Sequence, residues 1–278
     1  LPDNTSAASG GAPAFEAHAA DYDARTALSP GVGESVANAI VRLGQVSEDS
    51  HVLEIGAGTG EIGGHLAHLA PGYLGIDNSP AMLEIFRAKV APAAPSLLIA
   101  DADLTWPVPD ASTQVVFASR VIHLLDPEHV AQETQRVCRP DGYFMVGRVN
   151  RDPDSVKERL RRRRQHLLRD AGIQPRQGEP GAREIIDRLE EAGWTDLGRQ
   201  VVAAWTGEVS PGQILAGWEP LSRMGSVEVA RGARMRILED LRAWAAHEFG
   251  DLDRRWPYRE QYMLDIAARS GAAARQDA

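Results

Sequence analysis

Between residues 51 and 147 short apolar runs alternate with apolar positions spaced for helices. His51–Ile55 is an apolar run that stops at Gly56-Ala57-Gly58-Thr59-Gly60, and Ile62, Leu66 and Leu69 follow at helical spacing. Tyr73–Ile76 predicts a second strand ending at Asp77. Ser79-Pro80 then reads as an N-cap with proline at the first helical position, ahead of an apolar face of Met82, Leu83, Phe86 and Val90. Leu97–Ala100 predicts a third strand ending at Asp101, and Val115–Ala118 a fourth ending at Ser119. Asp126-Pro127-Glu128 opens a helix with Val130, Thr134 and Val137 on one side, which Asp141-Gly142 is expected to close. Tyr143–Gly147 is the fifth strand. Five short apolar strands separated by crossovers predict a parallel sheet covered on both faces.

The flanks are less regular. Residues 1–14 are small and polar without periodicity and read as a disordered tail. FEAHAADYDAR from Phe15 is helix-compatible, as is Val36–Leu43. Helices are expected over 154–169, 182–193, 211–222 and 227–249. Leu197–Trp205 and the period-two stretch Trp256–Ile266 predict two further strands.

Composition narrows the function classes. Of 278 residues, 43% are apolar and 25% charged, ordinary values for a soluble globular chain. The net charge of −9 is unevenly placed: residues 1–150 hold 18 acids against 8 bases, and 151–278 hold 21 against 22. An acidic chain is a poor partner for nucleic acid or an anionic membrane, and no apolar run approaches the ~20 residues of a membrane span. The N-terminal text lacks the pattern of a secretory signal, and one cysteine, Cys138, forms neither an internal disulfide nor a cysteine-rich metal site. The expectation is a cytoplasmic enzyme or binding protein with no metal site.

The glycine loop narrows the ligand. Gly58-x-Gly60-x-x-Gly63 matches a dinucleotide pattern, but that frame begins two residues late, and Glu54 at the strand's end would repel a pyrophosphate. A carboxylate beside a glycine loop suits an ammonium or sulfonium group instead. Asp77 can accept hydrogen bonds from both hydroxyls of a ribose. Asp101 can accept from an adenine amine while the Ala102 N–H donates to a ring nitrogen. Three carboxylates on three successive strand ends fit a cationic amino-acid nucleoside better than a polyanion.

The segments VLEIGAGTGEIG (52–63), YLGIDNSPAML (73–83), IADADLTWPVPD (99–110) and VIHLLDPEHVAQETQRVCRPDGYFMV (121–146) resemble class I S-adenosylmethionine-dependent methyltransferases. The likeness is to their small-molecule branch, which includes ubiquinone/menaquinone-biosynthesis enzymes, and it covers roughly residues 15–150. It implies an α/β, Rossmann-like, doubly wound seven-stranded sheet, mostly parallel with an antiparallel last strand and a helical insertion between strands six and seven. It implies one methyltransferase domain over 15–270: an N-terminal helical cover at 15–45, a cofactor-binding core at 46–150, and an insertion at 207–250 that is either a lid or a core extension anchored by Trp218 and Trp244.

The same resemblance implies S-adenosyl-L-methionine as cofactor and a small-molecule methyl acceptor. Glu54 and the loop Gly56, Ala57, Gly58, Gly60 would meet the methionine part, Asp77 the ribose, Asn78 and Met82 the adenine faces, and Asp101 with Ala102 its edge. Ser119 would lie beneath the methionine amino group, with Tyr22 over the cofactor. Thr113-Gln114 and Pro140-Asp141-Gly142 depart from the family's usual Phe-Asp and Pro-Gly-Gly. If the acceptor must lose a proton, His123 is the first candidate base, with His18 and Tyr22 behind it; an ordinary structural role is the alternative for His123. Arg161–Arg164, with Arg159 and Arg169, reads as a solvated helix face paired with Glu158 and Asp170, since four successive arginines point in all directions; a phosphate-bearing substrate or an RNA backbone is the alternative. RNA methylation, cofactor binding without transfer and nicotinamide oxidoreduction are the competing functions.

Overall fold

The computed structural model describes residues 28–92, 94–174, 180–221, 223–224 and 227–273. Five strands lead the order: β1 (His51–Ile55), β2 (Gly72–Asp77), β3 (Ser96–Ile99), β4 (Thr113–Ser119) and β5 (Cys138–Arg151). They interleave with helices α1 (Val32–Leu43), α2 (Gly63–Leu69), α3 (Pro80–Val90) and α4 (Pro127–Val137). Then follow α5 (Val156–Asp170), α6 (Pro180–Glu191), β6 (Thr195–Val209), α7 (Pro211–Trp218), the short strands β7 (Arg223–Met224) and β8 (Val227–Glu228), α8 (Arg231–Phe249), β9 (Trp256–Ala268) and α9 (Ser270–Ala273).

Seven strands form one sheet in the order β3-β2-β1-β4-β5-β9-β6. It is mostly parallel with its last strand antiparallel, the doubly wound α/β architecture that the family resemblance implies. Strands β1, β2, β3, β4 and β5 pair in parallel with their neighbours. Leu53, Ile55, Ile76, Val116, Ala118, Phe144 and Val146 face a core shared with Val130 and Val137 of α4 and Ile185, Ile186 and Leu189 of α6. Strand alternation sends Val52 and Glu54 to the other face. There Gly63 of α2 lies against the side chains of Glu54 and Tyr73.

Local chemistry sets the element boundaries. The Ser79 hydroxyl accepts from the Met82 N–H at 3.3 Å and Pro80 opens α3, as the sequence indicates. Asp126 caps α4 in the same way, accepting from the Glu128 N–H at 3.0 Å. The expected end of α4 is corrected: the helix stops at Val137, not at Asp141-Gly142, and Cys138 already belongs to β5. The physical reason is a bulge. Thr113 pairs with Cys138 but Val115 pairs with Tyr143, so the four residues Arg139–Gly142 stand opposite Gln114 alone, in an extended strand rather than a last helical turn. Gln114, one of the two departures from the family pattern, donates to the carbonyls of Gly44 (3.2 Å) and Asp141 (2.9 Å). It is a packing residue.

Two compact units divide the described residues, one within 1–148, 179–203 and 263–278, the other within 149–178 and 204–262. The second has its own core: Val156, Leu160 and Leu168 of α5, Leu215 of α7, and Ile237, Leu238, Leu241, Ala245 and Phe249 of α8. Trp218 and Trp244 pack against that core, and Trp244 meets Phe249 edge-on at 5.7 Å. The stretch expected as helical over 207–250 begins with the end of β6 and holds the antiparallel pair β7 and β8 between α7 and α8.

Candidate functional site

The turn after β1 cannot be built from ordinary residues. Gly56, Gly58 and Gly60 have φ of 68°, 55° and 77°, left-handed conformations that glycine adopts at little cost. Side chains close two of the three positions: a Cβ on Gly56 would sit 2.6 Å from Val121, and one on Gly60 would enter the Phe86 ring. Gly58 differs, because a Cβ there would meet only the Gly56 carbonyl, at 3.9 Å. The turn is therefore packed at both ends and open at its middle glycine. Backbone bonds fix its path, from the Ala57 N–H to the Ile76 carbonyl (3.0 Å) and from the Gly60 N–H to the Ala57 carbonyl (3.1 Å).

Asp77 ties this turn to the next strand end. One oxygen accepts from the Gly58 N–H and the other from the Ser79 N–H, each at 2.9 Å. A carboxylate has about four acceptor sites, so two remain for a ligand's hydroxyls. Burial raises its pKa, and the two N–H donors partly oppose the rise. Asp101, half-buried at the end of β3, accepts from the Asp103 N–H at 3.0 Å. Ala102 is buried beside it, and its carbonyl accepts from the indole N–H of buried Trp106 at 3.0 Å, which fixes the turn.

Glu54 sits differently from its neighbours in the set. Its carboxyl is buried under α2 and accepts from the Tyr73 hydroxyl at 2.6 Å. Room for the pair comes from Gly63 and Gly75, where a side chain would strike the Tyr73 hydroxyl. Desolvation pushes the Glu54 pKa up to about 8, against the opposing hydrogen bond from Tyr73. Tyr73 is shifted well above its ordinary range, by burial and then by the Glu54 charge.

The other expected residues occupy distinct surroundings. Asn78 is exposed at the start of the turn into α3, and Met82 is buried on that helix. Ala57 is buried in the glycine turn, while Ser119 is half-buried at the end of β4. His123 is exposed on a single 3-10 turn, Ile122–Leu124, four residues further on. Tyr22 and His18 lie outside the described residues. Thus Gly56–Gly60, Asp77 and Ser79 are joined by direct bonds, Glu54 packs behind the turn, and Asp101–Ala102 form the neighbouring strand end.

Sequence reasoning missed three participants. Tyr73 is the partner of Glu54, and Arg120 pairs with Glu61, whose other oxygen accepts from the Leu28 N–H. Arg120 also carries a φ of 58°, rare for a residue with a side chain. No motif marks these partners, since pairing across 19 or 59 positions leaves no local signal. Among the described residues, no three His, Cys, Asp or Glu side chains gather into a metal-binding group, and no helix is long and apolar enough to cross a membrane.

Residues 53–146 match a family model described as Methyltransferase domain. A probable S-adenosylmethionine-dependent methyltransferase of Mycolicibacterium smegmatis is 33% identical over 156 residues, 55% of each chain. An uncharacterized methyltransferase of Mycobacterium tuberculosis is 33% identical over 91 residues, 33% of this chain and 36% of that one. The chain thus spans about half the length of the first relative and about a third of the second. Among solved structures, a Bacillus halodurans protein assigned to the methyltransferases superposes with a TM-score of 0.55 at 16% identity, covering 84% of this chain and 99% of that one. The YcgJ protein of Bacillus subtilis gives 0.54 at 17% identity, covering 84% and 97%. At such identities the structures speak for the fold.

Proposed function

We propose, from the premise that residues 53–146 match a methyltransferase domain, that this chain transfers a methyl group from S-adenosyl-L-methionine to a small-molecule acceptor. One observation carries the reading: a left-handed glycine turn, open at Gly58, is bonded at that residue to the carboxylate of Asp77 on the adjoining strand end. Such a cradle admits close backbone approach at one glycine and offers a carboxylate with free acceptor sites beside it. Both suit the methionine and ribose parts of the cofactor.

In this reading Asp77 holds the ribose hydroxyls, Asn78 and Met82 flank the adenine, and Asp101 with Ala102 reads its edge. Ser119 and the Gly56–Gly60 turn line the methionine portion, with Ala57 contributing backbone. Glu54 supports the turn from behind, and its buried carboxyl supplies a nearby group able to become anionic when a cation binds. Held there, the cofactor would supply an electrophilic methyl carbon for in-line displacement by the acceptor. What the chain contributes is alignment and exclusion of water. Where the acceptor carries a hydroxyl or activated carbon, His123 takes its proton. The likeness to the ubiquinone/menaquinone-biosynthesis branch rests on the motifs, and we assign most acceptor selection to residues 151–278, which hold 22 of the 30 basic residues.

Calorimetric titration with S-adenosylhomocysteine tests the assignment. Wild-type chain binds one equivalent, and Asp77→Ala binds at least about tenfold more weakly, the scale of a lost charged hydrogen bond. Unchanged affinity in Asp77→Ala removes the ribose assignment, and saturable binding of NAD in place of S-adenosylhomocysteine removes the function.

A further inference from the structure

Helix α5 carries Arg159, Arg161, Arg162, Arg163, Arg164 and Arg169. The expectation of a solvated face fails at Arg163 and Arg164, whose Nε atoms are sealed from solvent, and Arg164 also lies over a ring. Leu160, Arg164 and Leu168 stand four residues apart and so share one stripe of the helix. Leu160 and Leu168 are fully buried in the core of the 149–178 and 204–262 unit. Arg164 therefore occupies the inward stripe, where the pattern calls for an apolar side chain. Its guanidinium lies 4.2 Å from the centroid of the Trp218 ring. Its Nε is sealed from solvent and has no acceptor among the described residues.

Four of the other arginines are accounted for, while the Nε of Arg163 is sealed without an acceptor among the described residues, like that of Arg164. Arg161 takes both oxygens of Glu158, at 2.7 and 2.5 Å. Arg159 pairs with Glu248 and stacks on Phe249. Arg162 donates from the surface to the Pro153 carbonyl at 2.5 Å, and Arg169 to the Gln165 carbonyl at 3.3 Å. Glu158, the one acid attracting Arg164, is thus already spent on Arg161, whose charge repels Arg164. Burial and that repulsion hold the Arg164 pKa down to about 10. Arg164 is half-buried, with its Nε sealed and no carboxylate of its own, and an anion placed against the guanidinium would supply the missing partner.

We propose that Arg164, backed by the Trp218 indole, is a binding site for the oxyanion of an organic molecule, a carboxylate or phosphate monoester carried on an apolar body. The planar guanidinium fork matches either group through two parallel hydrogen bonds. Leu167 and Ile214, only partly buried at the same core, supply apolar surface for the body. The site lies within one unit and is proposed independently of the methyl-transfer reading.

Phenyl phosphate, benzoate and inorganic phosphate are titrated into the full chain at constant ionic strength, alongside a short single-stranded RNA. Binding is followed by the indole N–H resonance of Trp218, assigned with Trp218→Phe. Saturable movement of that resonance with phenyl phosphate or benzoate, weakened at least tenfold in Arg164→Met and less than twofold in Arg162→Gln, supports the site. Absence of saturable binding, equal loss in Arg162→Gln, retention in Arg164→Met, or binding of RNA alone overturns it. Should Arg164→Met fail to fold by circular dichroism, Arg164→Lys replaces it: weakening of at least threefold supports the fork and unchanged binding overturns it. S-adenosylhomocysteine affinity is measured on the same samples. If it persists while no anion binds, the oxyanion site alone fails; if anions bind without it, the methyl-transfer reading fails.

Discussion

Replacing Glu54 with glutamine removes a pH dependence that this one buried carboxyl imposes on the whole first unit. Glutamate ordinarily titrates at 4.5, and in the folded chain desolvation moves Glu54 to about 8. A raised carboxyl pKa means that the native state holds a proton which the unfolded chain releases. Its contribution is therefore fully present below pH 4.5 and is lost as pH rises towards 8. At about 1.4 kcal/mol per pH unit, the gap between those values amounts to roughly 5 kcal/mol at its upper bound. The substituted glutamine keeps the volume and an oxygen to accept from the Tyr73 hydroxyl, which stands 2.6 Å from the native carboxyl, but it has no proton to lose. Urea unfolding of both proteins at pH 5, 6.5 and 8, extrapolated to water, measures the difference. Glu54→Gln should be close to wild type at pH 5 and more stable by several kcal/mol at pH 8. A difference that stays constant across the three pH values would show that Glu54 ionises normally in the fold and would refute the reasoning.

Other outcomes follow from the same geometry. Gly58→Ala, at an open position with φ of 55°, should cost about 1 kcal/mol in stability but lower S-adenosylhomocysteine affinity at least tenfold. Gly60→Ala, driven into Phe86, should instead cost about 3 kcal/mol; urea unfolding and calorimetry on the pair separate the two effects. Gly63→Ala should destabilise by about 2 kcal/mol, because its methyl would displace the Glu54–Tyr73 pair, and thermal unfolding would show it. Cys138, buried and pushed up to about 12 by desolvation, should ignore a thiol reagent at pH 8 in the native chain and react at once in 6 M guanidinium. Rapid native reaction would contradict its burial.

The sheet and most of the glycine-turn site were legible because they rest on local signals. A strand that ends in glycines needing positive φ announces its turn, and Asp77 and Asp101 fall where neighbouring parallel strands end. Ser79-Pro80 and Asp126-Pro127 announced their helices through the side chain that caps the first N–H groups. The bulge at Arg139–Gly142 was misread because Asp-Gly is also how helices stop. Only pairing of Thr113 with Cys138 and Val115 with Tyr143 distinguishes the two. The raised pKa of Glu54 comes from its burial, in a space that Gly63 and Gly75 leave for it and Tyr73. Nothing within a few residues of Glu54 foretells that. Arg164 was hidden for a related reason: a charge run reads as solvated until Leu160, Leu168 and Trp218 show which stripe faces inward.

The most direct test of the account is a crystal structure with S-adenosylhomocysteine bound. It should place the ribose hydroxyls within hydrogen-bond distance of the Asp77 carboxylate, the methionine portion against Gly58, and the adenine edge at Asp101 and Ala102. Density for the ligand at any other part of the chain, or a ribose turned away from Asp77, would contradict it.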